Sequence, residues 1–222
     1  MDYQALWLTL RLAAFTTGIL LVIGIPLSEW IVFTHSRTRP LIESLCSLPL
    51  LLPPTVMGFY LLVLLGPRTA FGRFWVHCFG HPLAFSFGGL VIGSVIYSLP
   101  FAVQPISAGF YGVNPAMLEQ GQLLGAGRIR LLRQVLLPLS KRSILTAAIL
   151  CFTHTIGEFG VVLMLGGDIP GATRTLSIAI YDQVQDFAYK QANHTALLLL
   201  AISLIALIVL YTRSPRPQVP HA

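Results

Sequence analysis

Five apolar runs constrain this chain more than any other feature. They fall at about 9–33, 41–65, 86–110, 143–165 and 193–212, and each is near the roughly 20 residues that a helix needs to cross a bilayer. Only 10% of the 222 residues are charged and 55% are hydrophobic, whereas a soluble domain carries roughly 25% charged residues. The expected fold is therefore all-α and integral to the membrane, with one domain over residues 1–212 and five transmembrane helices. Residues 213–222 are short and Pro-rich, and are expected to stay disordered. The amino-terminal run is too long for a secretory leader and lacks a small-residue cleavage site, so it reads as a retained first span.

Basic residues set the orientation. One set of faces, the 34–40 and 112–142 loops and the tail after 212, holds nine: Arg37, Arg39, Arg128, Arg130, Arg133, Lys141, Arg142, Arg213 and Arg216. The other holds five: Arg11, Arg68, Arg73, Arg174 and Lys190. The excess places the 112–142 loop and the carboxyl terminus in the cytoplasm and the amino terminus outside. The net charge of +6 fits contact with anionic lipid headgroups. No basic face with interleaved aromatics appears, which argues against nucleic acid.

The 112–142 loop is polar and rich in arginine. Asn114 is suited to cap a helix, Pro115 to its first position, and Glu119 falls near its first turn. A short helix over 115–127 is expected, with Gly125 and Gly127 allowing a tight bend and Pro138 leading into the fourth span. The result is a compact knob on the cytoplasmic side. Glu119 could pair with a basic residue of a partner or cap its own helix.

Glu158 lies in the fourth run. A carboxylate at membrane depth costs roughly 2.5–3.5 kcal/mol on insertion scales and must face protein or water. It lies about 22 Å along a helix from the start of its span, hence in the outer half. His154 precedes it by one turn on the same face. Glu158 reads as a pathway or gating residue, an interhelical lock, or a side chain snorkelling to the outer interface. Pro49, Pro53 and Pro54 interrupt the second run, and freed carbonyls at membrane depth are tolerated only in the protein interior or along a wet pathway. Pro53, Pro54 and Met57 are thus further pathway or gate candidates. Gly89 and Gly93, four apart, permit close helix packing in the third span.

Outside the runs, residues 66–85 carry Phe71, Phe74, Trp75 and Phe79, expected on a short interfacial helix. Leu176, Ile180, Val184 and Phe187 recur at helical spacing and predict an amphipathic helix on the outer surface or in the bundle mouth. No catalytic set is present. The chain has no Gly-x-x-x-x-Gly-Lys-Ser/Thr loop, no His-Glu-x-x-His and no Gly-x-Ser-x-Gly. Cys46, Cys78 and Cys151 imply no disulfide framework, and His77, Cys78 and His81 do not make a four-ligand metal set. No cofactor or metal is expected. A secondary transporter would show inverted repeats, and none is evident.

Glu119, Gly125, Leu137 and Pro138 stand at the spacing Glu-Ala-Ala, three residues, Gly, nine residues, Ile-x-Leu-Pro. This resembles the cytoplasmic coupling loop of bacterial ABC-importer permeases, with Gln120 and Gly121 in place of the two alanines and Val135 in place of the isoleucine. The segments 48–60, 157–162 and 166–177 are similar to the permeases of molybdate importers, with tungstate and sulfate/thiosulfate permeases as close relatives. The resemblance implies the type I importer fold, a homodimer, a pair of ATP-binding subunits and a periplasmic or lipid-anchored oxyanion-binding protein, at the bacterial inner membrane. It makes Glu119, Gly121, Gly125 and Pro138 the candidate contacts or supports for the ATPase.

Overall fold

Asp2 starts the first helix by accepting a hydrogen bond from the Ala5 backbone amide at 3.0 Å, which satisfies one of the orphan donors of a helix start. In the computed structural model, which describes residues 2–213, this helix, α1, runs Tyr3–Phe33. It is followed by α2 (Arg39–Leu51), α3 (Pro54–Leu65), α4 (Ala70–Phe79), α5 (Phe87–Tyr111), α6 (Pro115–Leu123) and α7 (Arg128–Leu131). A π-helical turn over Leu132–Leu136 leads into α8 (Leu137–Leu139), α9 (Lys141–Gly157), α10 (Gly160–Gly166), α11 (Leu176–Gln185) and α12 (Tyr189–Arg213). The expected disordered tail lies, from residue 214 on, outside the described residues.

By length and composition, three of the described helices can each cross a membrane, α1, α5 and α12; up to five spans result if each bent pair counts as one. The second apolar run is one of those pairs: α2 and α3 meet at 116°. Leu52 and Pro53 are both extended, with ψ of 138°, as expected of residues that precede proline. Pro54 then opens α3, where its missing N–H costs nothing. Pro49 does not break the chain as expected; it sits buried inside α2. The fourth run is also broken, between α9 and α10, so a continuous helix over 143–165 is not what forms.

α1, α5 and α9 pack on one another at the centre, and α10 wedges against α3 and α5. The main buried cluster draws Leu8 and Leu12 from α1, Met57 and Leu61 from α3, Leu90 from α5, and Val161 and Leu165 from α10. Gly93 does serve close helix packing, since a Cβ there would lie 2.3 Å from Leu165 Cδ1. Gly89 does not; its Cβ would strike the Leu83 carbonyl oxygen in the preceding turn, at 2.1 Å.

α4 forms inside the aromatic segment and exposes Phe71, Phe74 and Phe79. α11 forms too, but with a different buried face. Leu176, Ile178 and Ala179 are buried, while Val184 and Phe187 are exposed. The helix is packed from more than one side, by α1, α9 and α12, and it ends at Gln185, two residues short of Phe187.

Buried hydroxyls tie these elements together. Thr9 Oγ1 donates to the Ala5 carbonyl at 2.7 Å and accepts from the Leu176 amide at 2.9 Å, which ties α1 to the start of α11. Ser28 Oγ donates to the Val103 carbonyl at 3.2 Å. Thr9→Val should leave the Leu176 amide buried without a partner, at a cost of about 1–3 kcal/mol. Thermal unfolding of the detergent-solubilised protein should show a lower Tm for Thr9→Val and a nearly unchanged one for Thr9→Ser.

Candidate functional site

Asn114 Oδ1 accepts from the Ala116 amide at 3.0 Å, and Pro115 occupies the first turn of α6. The helix ends at Leu123, four residues sooner than the sequence reading. Gly125 is the reason: it has φ +79°, its amide reaches the Gln122 carbonyl at 2.9 Å, and the Ala126 amide reaches the Gly121 carbonyl at 2.9 Å. These two bonds are the Schellman pattern, and they satisfy the last carbonyls of α6. No residue of α6 is buried. Glu119 is exposed, with no ion-pair partner among the described residues. Leu123 and Leu124 are 88% and 87% exposed.

Gly121 faces inward instead. A Cβ at 121 would lie 2.5 Å from Leu131 Cδ2, so any larger residue there would make the Leu131 side chain shift. Pro138 lies in α8 and is exposed. It follows the π-helical turn, and the α7–α8 segment meets α9 at 76°.

The knob is also pinned to α1. Arg128 donates from Nε to Glu29 Oε1 at 2.6 Å and from Nη2 to Glu29 Oε2 at 2.5 Å. This two-pronged pairing is the strong arginine–carboxylate geometry, and the carboxylate raises the Arg128 pKa further through that hydrogen bond. Glu29 is buried, and the pair lines a cavity of about 490 Å³ with Trp30, His35 and Gln122. Sequence reasoning missed Glu29. Its signal was present, as the only carboxylate in the first apolar run, and ionisable groups in such runs are functional candidates by default.

Glu158 does not snorkel. It is 4% exposed and sits at the break between α9 and α10, with ψ of 128°. Its backbone carbonyl accepts from Ser177 Oγ at 2.6 Å. The Ser94 hydroxyl faces its carboxyl group, yet neither completes a hydrogen bond. Glu158 lines a cavity of about 500 Å³ with Pro54, Thr55, Tyr97, Thr153 and His154. Gly160 lets this wall close on α3: a Cβ there would be 2.6 Å from Pro54 Cβ. His154 is held by Ser98 Oγ at 2.8 Å and stacks on Phe101 at 4.1 Å.

The structure thus brings Pro54 and Glu158 together. Pro53 caps α3 beside them, and Met57 lies in the buried core cluster rather than on the cavity wall. Among the described residues, no group of three or more His, Cys, Asp or Glu side chains could hold a metal ion.

On the α10–α11 loop, Arg174 grips Asp168 from Nε at 2.5 Å and from Nη2 at 2.6 Å. Asp182 is left with a single approach to Nη2 at 3.2 Å. The two carboxyls accordingly move apart: the hydrogen bonds from Arg174 hold Asp168 below its ordinary pKa, whereas burial and the neighbouring Asp168 push Asp182 up from 3.8 to about 6. A carboxyl raised in the folded state binds more protons there than in the unfolded chain, so its charge erodes stability as pH rises from about 4 to about 6. Asp182→Asn should remove that erosion. Its Tm minus that of the wild type should climb across this window and level off above it.

Long apolar helices with a short, exposed, capped helix between two of them define a multi-span membrane protein. The comparisons give the family. Residues 18–216 match the family described as binding-protein-dependent transport system inner membrane component, and the chain belongs to it.

Among curated relatives, the molybdenum transport system permease protein ModB of Azotobacter vinelandii is 45% identical over 211 residues, covering 95% of this chain and 93% of its own. The protein of the same name from Escherichia coli K12 is 32% identical, covering 94% and 91%. The sulfate transport system permease protein CysT of Salmonella typhimurium is 31% identical, covering 92% and 74%.

Among solved structures, a bacterial ABC transporter involved in alginate import superposes with a TM-score of 0.76 at 19% identity, covering 96% of this chain and 80% of that one. The MetNI methionine ABC transporter in an inward-facing form gives 0.74 at 14% identity, covering 96% and 94%. The fold is that of type I ABC-importer permeases, and the chain is an inner-membrane permease subunit rather than a catalytic enzyme.

Proposed function

We propose that this chain is the permease of an ATP-driven importer that carries molybdate inward across the inner membrane. It works as a homodimer with two ATP-binding subunits and a periplasmic or lipid-anchored oxyanion-binding protein. The observation that carries this reading is the α6 knob, capped at both ends and without a buried residue, in a chain whose relatives of near-equal length are named molybdenum permeases. Residues 1–212 form one permease domain with five spans, its amino terminus outside and the 112–142 loop inside.

In this reading α6 docks in the ATP-binding subunit. Leu123 and Leu124 offer it an apolar tip, and Glu119 offers a charge. Gly125 fixes the turn, Gly121 allows α6 to seat on α7, and Pro138 starts the corner that passes motion into α9. Glu29 and Arg128 carry the same motion into α1. Across the membrane, Pro53, Pro54 and Glu158 form one wall of the pathway, with Met57 packed behind it. Glu158 is buried at the break between α9 and α10, so its part is to hold or gate the wall rather than to ligate the cargo.

Gly121→Val should disturb the α6–α7 seat by about 1–3 kcal/mol and weaken ATPase association accordingly. Gly125→Val and Glu119→Lys should also lose the ATP-binding subunits on co-purification while still inserting. Glu158→Gln should insert and assemble normally but take up labelled molybdate poorly or leak it. Normal association and uptake in all four variants would remove the coupling and gating assignments. Uptake of sulfate in preference to molybdate would keep the mechanism and reassign the cargo, as the sulfate permease relative allows.

A further inference from the structure

One face of α1 is used by none of the contacts above. Gln4, Trp7, Arg11, Phe15, Gly18 and Val22 all lie exposed along it, at the three- and four-residue spacing of a single helix stripe. The upper part is a cavity of about 530 Å³, mainly apolar, where Arg11 stands among Gln4, Trp7, Ser86 and Phe87. The Arg11 guanidinium carbon stands 4.6 Å from the Phe87 ring centre and 5.6 Å from that of Phe15. The two rings hold it in place by cation–π attraction. Among the described residues, no carboxylate lies within ion-pair distance of Arg11.

Directly below on the same helix is a shallow, open apolar groove lined by Ala14, Phe15, Gly18, Ile19, Val22 and Ile23. Every lining residue is apolar. Gly18 leaves its floor open, since a Cβ there would touch nothing within 4 Å. From Arg11 to Ile23 the helix rises about 18 Å, close to the roughly 15 Å depth of one leaflet's hydrocarbon. A fixed, unpaired cation at the head of an apolar groove one leaflet deep has the shape and charge of a single amphiphile.

We propose that this face binds one anionic phospholipid, its phosphate on Arg11 and an acyl chain in the groove beside Gly18. The charge is complementary, and an arginine in an otherwise apolar run gains the counter-ion that the protein does not supply. A second copy of the chain is a poorer occupant, because a two-fold contact through this face is self-complementary and would bring Arg11 toward Arg11. The site depends on neither the orientation of the chain nor the cargo.

The test is native mass spectrometry of the detergent-purified permease–ATPase complex titrated with phosphatidylglycerol or phosphatidylcholine. The wild type should retain phosphatidylglycerol preferentially. Arg11→Gln should reduce that preference roughly fivefold, the effect of one basic residue on an anionic lipid. Gly18→Leu places its Cβ where nothing lies within 4 Å, so it should keep the fold and weaken retention of both lipids. Equal retention of the two lipids by the wild type, or unchanged retention in both variants, overturns the proposal. Displacement of phosphatidylglycerol by molybdate would overturn it in favour of a cargo site. Formation of a disulfide-linked dimer by Val22→Cys in a Cys78→Ser background would overturn it in favour of a second copy.

Discussion

A backbone inside a membrane has no water to satisfy it, so every interruption of a helix must be repaired from within the protein. This chain interrupts its helices repeatedly and builds its working parts at the interruptions. At 52–53 the break is made by a proline pair and opens a 116° corner. At 158–159 it is made without proline, and Ser177 reaches across from α11 to take up the Glu158 carbonyl. The two breaks meet face to face through Gly160 and Pro54, and the cavity lies where they meet. A straight helix at either place would close that space.

The same logic governs the segment from α6 to α9. A nine-residue helix such as α6 is too short to persist alone in water, and it buries no residue fully. It is held by its ends: Asn114 at the start, the Gly125 turn at the finish, Gly121 against Leu131, and the Glu29–Arg128 pair next door. The outer surface of the knob is thereby left free of structural duties. Its leucines and its glutamate can serve another protein.

Much of this was legible in the sequence. The apolar runs gave the class of fold, and the Glu119–Pro138 spacing located the knob within a few residues. Local chemistry, such as Pro54 at a helix start or glycine in a left-handed turn, reads directly because cause and effect are adjacent in the chain. What could not be read depends on contacts between distant residues. Glu29 and Arg128 are 99 positions apart, and nothing local to either names the other. The break after Gly157 has no proline to announce it; it is stabilised by α11, and the run on its own looks like one helix. The buried face of α11 departs from the 176, 180, 184, 187 spacing because periodicity assumes a single packing surface, whereas this helix meets several neighbours. The place of Met57 in the core cluster was unreadable for a similar reason. One apolar side chain in a span gives no sign of whether it faces a space or a neighbour.

The contact between Gly121 and Leu131 has an evolutionary corollary. The family pattern carries alanine at the position of Gly121, and here a single added carbon would stand 2.5 Å from a leucine methyl. The two positions therefore share one fixed volume, split as nothing on α6 and a full leucine on α7. A lineage with alanine at the first should carry a smaller or differently shaped residue at the second, or a wider spacing between the helices. Substitutions at these sites should then be acquired in pairs, and a coupling loop transplanted between permeases should work only when both members travel together.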